Sequence, residues 1–326
     1  MKKILVIGGA GFVGSHLVEE LVKIKKNKVY VVDNLFLGTK KNLIKVKERI
    51  YFFNFDASNQ RKMNFFFKNK IFDIVFNLAT KPINYSLINP LDGFYAQIDI
   101  VLNLLELCRE KKIKKLIHFS TSEVYGTGSG TMSEDYKCIP ETTYAAGKFA
   151  CDTLIKTYTN LYNLDTVIIR PSNIYGPRQY NKNKHSLSPG LIVAAINSFK
   201  YNKSFQINGN GLQSRDYIYV KDFVKLLVKS FKKLKKNNVY HFSSNQNIKI
   251  VDIVKIIKNK LKYKKKISFS KKRRGDVYYH KLNNKKLKTI IDFKLTSFSN
   301  GIDETIKYYW YYLIQNTFGI KLYVIN

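Results

Sequence analysis

The stretch KILVIGGAGFVG, residues 3–14, decides how the chain is read. Its first half is continuously apolar, as in a strand buried on both faces. Its second half satisfies G-x-G-x-x-G at Gly9, Gly11 and Gly14, and G-x-x-G-x-x-G at Gly8, Gly11 and Gly14. Helical patterning begins at once over 12–25, so the glycines stand between a strand and a helix. Glycine suits that place because the backbone must turn tightly and let a pyrophosphate approach, while the helix N-terminus offers free N–H groups to the anion. An acid closes the second strand at Asp33, in VYVVDN. A carboxylate there accepts hydrogen bonds from a ribose 2′-hydroxyl and repels a 2′-phosphate, so the pattern predicts NAD rather than NADP.

Outward from this loop, apolar runs at 3–9, 28–33, 50–56, 72–79 and 114–120 alternate with helical patterns such as 12–25 and 92–112. A long amphipathic helix at 143–162 precedes a further strand at 165–170. Near-continuous apolar strands separated by helices predict an α/β fold, a Rossmann-type doubly wound parallel sheet covered on both faces. After RPSNIYGPRQ (170–179) come a Lys/Asn/Ser-rich loop at 180–188, a helix, a short strand near 205–207, and helices at about 221–234 and 249–261. The expected organisation is an NAD-binding Rossmann domain over 1–171. A smaller α/β substrate-binding lobe over 172–326 is partly interleaved with it. Asp56 closes the third strand, and two readings stay open for it: a cap on a helix beginning near Ser58, or a contact with adenine.

Bulk composition narrows the class. With 326 residues and 45% hydrophobic residues the chain can bury a sizeable core. It has no run of about 18 apolar residues, so no membrane span is expected. The N-terminal glycines and helix pattern, without a small-residue cleavage site, argue against a signal peptide and for a cytoplasmic protein. Three cysteines, Cys108, Cys138 and Cys151, have neither metal-type spacing nor an even number for a disulfide framework. The net charge of +34 invites a nucleic-acid or membrane reading. Lysine, however, supplies most of it, scattered over the chain together with abundant Asn, Ile, Tyr and Phe, a bias that AT-rich codons alone produce. A nucleic-acid protein would favour arginine for bidentate contacts, so the expected use of the field is to draw in an anionic small-molecule substrate.

Tyr144 and Lys148, in TTYAAGKFACDTLIKTY, lie four residues apart on one helix face. The spacing recurs at Tyr180–Lys184 and Tyr217–Lys221, but only the first pair heads a long apolar-faced helix and follows STSEVYG (120–126). A lysine beside a tyrosine lowers the phenol's pKa and lets it serve as a base. Taken together, the glycine loop, Asp33, the Thr121/Tyr144/Lys148 set, RPSNIYGPRQ and RDYIYVKD (215–222) resemble the extended short-chain dehydrogenase/reductases. Within them the chain is similar to the NAD-dependent nucleotide-sugar epimerases and dehydratases, from residue 1 to about 310.

The resemblance implies roles. Tyr144 takes the proton from a sugar 4-hydroxyl while C4 is oxidised by NAD, Thr121 hydrogen-bonds O4, and Lys148 holds the nicotinamide ribose. Gly8, Gly11, Phe12, Val13 and Gly14 cradle the cofactor, with Asp33, Asn34, Asp56 and Ala57 at the adenosine end and Leu78 and Ala79 beyond. Ser122, Asn173, Arg178, Arg215 and Arg273 are the implied contacts for a nucleoside-diphosphate sugar, arginine suiting the diphosphate through paired N–H donors. No metal is implied. The family often dimerises through a four-helix bundle, and the helices at 92–112 and 143–162 suit a homodimer. The chain departs from the family at Asn77, where His is frequent, at Gln97, where Asn is frequent, and at Arg274, where Pro is usual.

Glu123 separates the branches. Simple 4-epimerases usually carry a small or hydroxyl residue at this place. Once C4 is a ketone, the C5 hydrogen becomes acidic, and a carboxylate placed there can remove it and let the C6 hydroxyl leave as water. That is the 4,6-dehydratase scheme, whose motif typically reads Thr-Asp-Glu. This chain has Thr121-Ser122-Glu123, a triplet also similar to UDP-glucuronate decarboxylases, although their Arg and Cys before the catalytic Tyr are absent from PETTYAAGK. In an extended segment Thr121 and Glu123 face one way and Ser122 the other. The favoured reading is a nucleotide-sugar 4,6-dehydratase, with a UDP-glucose 4-epimerase-like enzyme or a decarboxylase as alternatives. In the bland reading, Glu123 is a structural carboxylate satisfied by backbone amides or a lysine. A non-catalytic NAD-binding module with a basic surface for nucleic acid or membrane is a further class, against which the intact Thr121/Tyr144/Lys148 set speaks.

Overall fold

The computed structural model describes residues 1–179, 189–272 and 275–318, with only the backbone over 311–318. Seven strands form its centre: β1 (Lys2–Ile7), β2 (Asn27–Val32), β3 (Ile50–Phe53), β4 (Ile74–Asn77), β5 (Leu116–Phe119), β6 (Thr166–Pro171) and β7 (Asn238–Phe242). All pair in parallel, in the order β7-β6-β5-β4-β1-β2-β3. The principal helices are α1 (Phe12–Val22), α2 (Gln60–Phe67), α3 (Pro90–Arg109), α4 (Thr143–Tyr162), α5 (Leu191–Lys200), α6 (Val220–Ser230), α7 (Ile250–Lys260) and α8 (Phe298–Phe318).

The two-residue period of a strand divides β1 between two cores. Ile4 and Val6 pack with Leu17, Leu21 and Phe223 from α1 and α6. Leu5 and Ile7 pack with Leu104, Leu105 and Ile155 from α3 and α4. Burying each such side chain contributes about 1.5–3 kcal/mol, which is why these strands are apolar on both faces. A third cluster, including Ile192, Ile196, Ile253 and Ile257, joins α5 and α7 in the second half of the chain. The strand order reverses between β1 and β4, and the carboxyl ends of these strands open the crevice where ligands bind in such sheets.

Several strands are shorter than the apolar runs. Gly8, Asn54, Leu78 and Ser120 continue those runs but already belong to the loops that carry the site. Asp56 does not cap α2, which begins at Gln60 with the Asn59 side chain accepting from the Lys62 amide. The edge strand β7 goes unread in the sequence because it is short and carries His241 inside an otherwise apolar run.

Buried histidines make the fold acid-sensitive. The His16 ring on α1 donates from Nε2 to the Pro177 carbonyl at 3.0 Å, and His241 on β7 is fully enclosed. Burial pushes His16 down to about 4 and His241 to about 3. Unfolded, both titrate near 6.5, so the unfolded chain binds more protons below that pH and stability falls as pH falls. By pH 4 the expected loss is about 3 kcal/mol per histidine. The buried Asp216 carboxyl, pushed up to about 6, works the other way and offsets about one of the two histidines, so melting temperatures should fall by the remainder from about pH 6.5 to 4; a rise over that window would contradict the assignment.

Candidate active site

The glycine loop shows why its residues are glycine. Gly8 has a φ of +77°, the left-handed region, and a Cβ added there would sit 2.9 Å from the Ala79 nitrogen. At Gly14 an added Cβ would come within 2.1 Å of the Gly8 carbonyl oxygen, so no side chain fits. α1 starts directly behind this cradle with no side-chain cap, leaving its first amides for an anion.

A cavity of about 320 Å³ lies over the loop. Gly8 and Gly11 line it from the loop after β1, Phe12, Val13 and Gly14 from the first turn of α1, Asp33 and Asn34 from the loop after β2, and Asp56 and Ala57 from the loop after β3. Leu78 and Ala79 close it from the loop after β4. Asp33 accepts from the Ala10 amide at 2.9 Å and the Leu35 amide at 2.8 Å. Burial pushes its carboxyl up, and the two amides pull it back. Asn34 donates to Asp56 at 2.7 Å, and Ser58 donates to the other Asp56 oxygen from both its amide and its hydroxyl. Burial would raise Asp56, but these hydrogen bonds hold it below the ordinary carboxylate value. A cradle that a Cβ would fill, uncapped helix amides and a carboxylate at the end of β2 fit NAD. Replacing Asp33 with Ser is expected to weaken NAD about 10–100-fold, the size of a lost charge-assisted hydrogen bond, and to narrow the preference over NADP. Titration with both dinucleotides checks this.

A second cavity of about 700 Å³ meets the first, and Phe12, Val13, Thr80 and Gln179 line both. Thr121, Ser122, Glu123 and Tyr144 stand in its wall, with Asn173 and Arg215 from the second half of the chain. The segment after Thr121 is not extended. Ser122–Tyr125 forms a single 3₁₀ turn, and Thr121 Oγ1 accepts from the Glu123 amide at 3.2 Å. Thr121 and Glu123 nevertheless face the same cavity, as does Ser122, because the turn folds all three toward it. Among the described residues no group donates to or ion-pairs with the Glu123 carboxylate, so the partner that the bland reading requires is not seen there.

Tyr144 heads α4, with Thr121 and Thr80 close to its phenol. Burial, then the Glu123 charge, pushes its phenol up to about 12. The expectation that Lys148 lowers this phenol is not met. Lys148 is fully buried, lines neither cavity, and donates to the Phe119 carbonyl at 2.9 Å. Burial brings its ammonium down to about 8, with Cys151 and Asp152 resisting. Beneath it, Asp152 is held by Ser120 and by the fully buried Arg170, each at 2.9 Å.

The arginines divide. Arg215 is buried and oriented by Asp276 at 2.8 Å. Arg178, expected against the substrate, lines the cofactor cavity instead and pairs with Glu19 at 2.6 Å, since the chain reverses at Gly176–Pro177 and carries it back over α1. Arg273 lies outside the described residues. Thr80, Asp276 and His280, whose ring reaches the Ser122 carbonyl, have no place in the sequence reading. Asp276 had a signal, since it follows Arg273 in the RRGDV stretch.

The pattern that defines the NAD dependent epimerase/dehydratase family matches residues 4–242. The chain belongs to that family. A putative UDP-glucose 4-epimerase of Methanocaldococcus jannaschii is 30% identical over 293 residues, covering 88% of this chain and 92% of its own. The crystal structure of a Thermotoga maritima UDP-glucose 4-epimerase with UDP-glucose superposes with a TM-score of 0.88 at 27% identity, over 95% of this chain and 99% of that one. A Bacillus anthracis dTDP-glucose 4,6-dehydratase in complex with NAD gives 0.86 at 26% identity, over 98% and 99%. The family, and structural neighbours solved with NAD bound, identify NAD as the cofactor.

Proposed function

We propose that this protein is an NAD-dependent nucleotide-sugar 4,6-dehydratase, and the observation that carries the reading is the Glu123 carboxylate. It shares a cavity wall with Thr121 and Tyr144, its charge acts on the Tyr144 phenol, and among the described residues it makes no ion pair. Tyr144 takes the C4 hydroxyl proton, and Thr121 holds O4. Bound NAD⁺ supplies the hydride acceptor at C4 and its return at C6, and its positive charge would bring the Tyr144 phenol down from about 12. Glu123 then removes the proton from C5, made acidic by the neighbouring ketone, and the C6 hydroxyl takes a proton delivered by water or through the Ser122 hydroxyl and leaves as water. A proton returned to C5 completes a 4-keto-6-deoxy sugar. Arg215, held by Asp276, would meet the diphosphate. A neighbouring hollow that shares Gln213 and Asp276 with the substrate cavity and reaches Gly209 and Lys272 would take the nucleoside.

Ser122 favours a second reading, a 4-epimerase. Dehydration calls for an acid at the leaving hydroxyl, and this position offers only a serine. Incubation with a panel of UDP-, dTDP-, GDP- and CDP-sugars, followed by product mass, separates the possibilities. Loss of water supports the dehydratase, and an unchanged mass with a new sugar supports the epimerase. Loss of carbon dioxide from a uronic acid marks a decarboxylase. Inertness towards every sugar together with salt-sensitive RNA retention leaves a binding module.

The protein is also proposed to act as a homodimer through α3 and α4, which pack together and leave Leu91, Tyr95 and Leu161 exposed. Among the described residues no helix is long and apolar enough to cross a membrane. Three free thiols, two of them buried, fit a reducing cytoplasm.

A further inference from the structure

We propose that His280 is a positioning residue that fixes the Ser122–Tyr125 turn, and with it the Glu123 carboxylate, through a hydrogen bond from its ring to the Ser122 carbonyl. The inference rests on the reading of Glu123 as the base at C5. His280 lies 158 residues from Ser122 in sequence and is wholly enclosed in the structure. Its Nε2 sits 2.9 Å from the Ser122 oxygen. A carbonyl only accepts, so Nε2 carries the hydrogen and Nδ1 is left as a bare acceptor. Among the described residues Nδ1 has no partner. The hydrogen bond found for the ring among these residues is thus made to the residue before Glu123. Burial holds the ring below the ordinary imidazole value, although the Glu123 charge and the Ser122 carbonyl pull it back up, and the net direction matches a bare Nδ1.

The backbone of His280 is itself anchored. Its carbonyl accepts from Asn247 at 3.3 Å, and Lys281–Leu282 pairs with Thr131–Met132. The same stretch carries Asp276, which orients Arg215. One short segment thus runs from the arginine of the substrate cavity to the catalytic turn. On the other side of Glu123 the turn is closed by the Gly126 amide on the Glu123 carbonyl at 3.1 Å, with Gly126 at a φ of +67°. Thr121 holds the Glu123 amide, and His280 holds the carbonyl before it. The peptide that carries the carboxylate is therefore pinned from two elements, while no described residue pairs with the carboxylate itself. A base needs this combination, because an error of about 1 Å in its placement costs on the order of 100-fold in rate.

The test compares His280→Leu, His280→Gln and Glu123→Gln in the full-length, NAD-loaded protein, using the sugar nucleotide identified by the panel. Glutamine restores an N–H donor at nearly the reach of Nε2, whereas leucine fills space only. His280→Leu should lower kcat about 10–100-fold with KM little changed. It should also accumulate enzyme-bound reduced nicotinamide on mixing with substrate, seen by its near-ultraviolet absorbance, as Glu123→Gln should. His280→Gln should recover most of the rate, with NAD content and melting temperature held close to wild type. The proposal is overturned by a leucine variant that turns over normally, by a glutamine variant no better than leucine, or by a fall in kcat without reduced nicotinamide. Glu123→Gln turning over normally removes the reading of Glu123 and this inference with it. Glu123→Gln slow beside a normal His280→Leu removes the inference alone.

Discussion

Tyr144→Phe is expected to lower turnover by about 10²–10⁴-fold, the range for loss of a general base, while NAD stays bound. Tyr144 stands in the wall of the proposed substrate cavity, close to Thr121 after β5 and Thr80 after β4. The ring's packing on α4 survives the substitution, and no residue that lines the glycine cradle changes. Without a bound positive charge the phenol sits at about 12, held there by burial and Glu123. The buried Lys148 spends its ammonium on the Phe119 carbonyl. On the proposed reading the phenol would become a base only once the cofactor and sugar are in place, which would restrict proton removal to the assembled complex. Product formation together with the ratio of NAD to protein checks this. A variant that keeps its NAD and most of its rate would remove Tyr144 from the chemistry.

The cofactor half of the site was legible because its signals are local. A glycine that must take φ +77°, a second that must clear a carbonyl at 2.1 Å, and an acid at the end of a buried strand are all requirements of a few consecutive residues. The parallel sheet covered on both faces follows equally from alternating apolar runs and helices. The substrate half depends on contacts across the chain, and pattern reading loses them. Arg178 and Arg215 look alike in sequence, yet one folds back over α1 and the other is held by Asp276. Thr121 and Glu123 do share a face, although the extended segment that predicted it is a 3₁₀ turn. His280 stands in VYYHKL, where nothing marks a ring that reaches a turn 158 residues away. The lysine excess likewise names no partner, since many of these side chains are scattered over the surface.

The second large effect is expected at Glu123, where Gln keeps the shape of the side chain and removes its basicity. Tyr144, Thr121 and the cofactor cavity are untouched, so oxidation at C4 proceeds and the reaction halts before water is lost. The rate of finished product should fall about 100-fold or more. Turnover in deuterium oxide asks the question most directly, because a base that removes the C5 proton exchanges it with solvent before C5 is reprotonated. The wild-type protein should release a product one water lighter than its substrate with one deuterium at C5, and Glu123→Gln should release almost none. An isomer of unchanged mass without deuterium at C5, formed equally by both proteins, would contradict dehydration and leave Glu123 outside the chemistry.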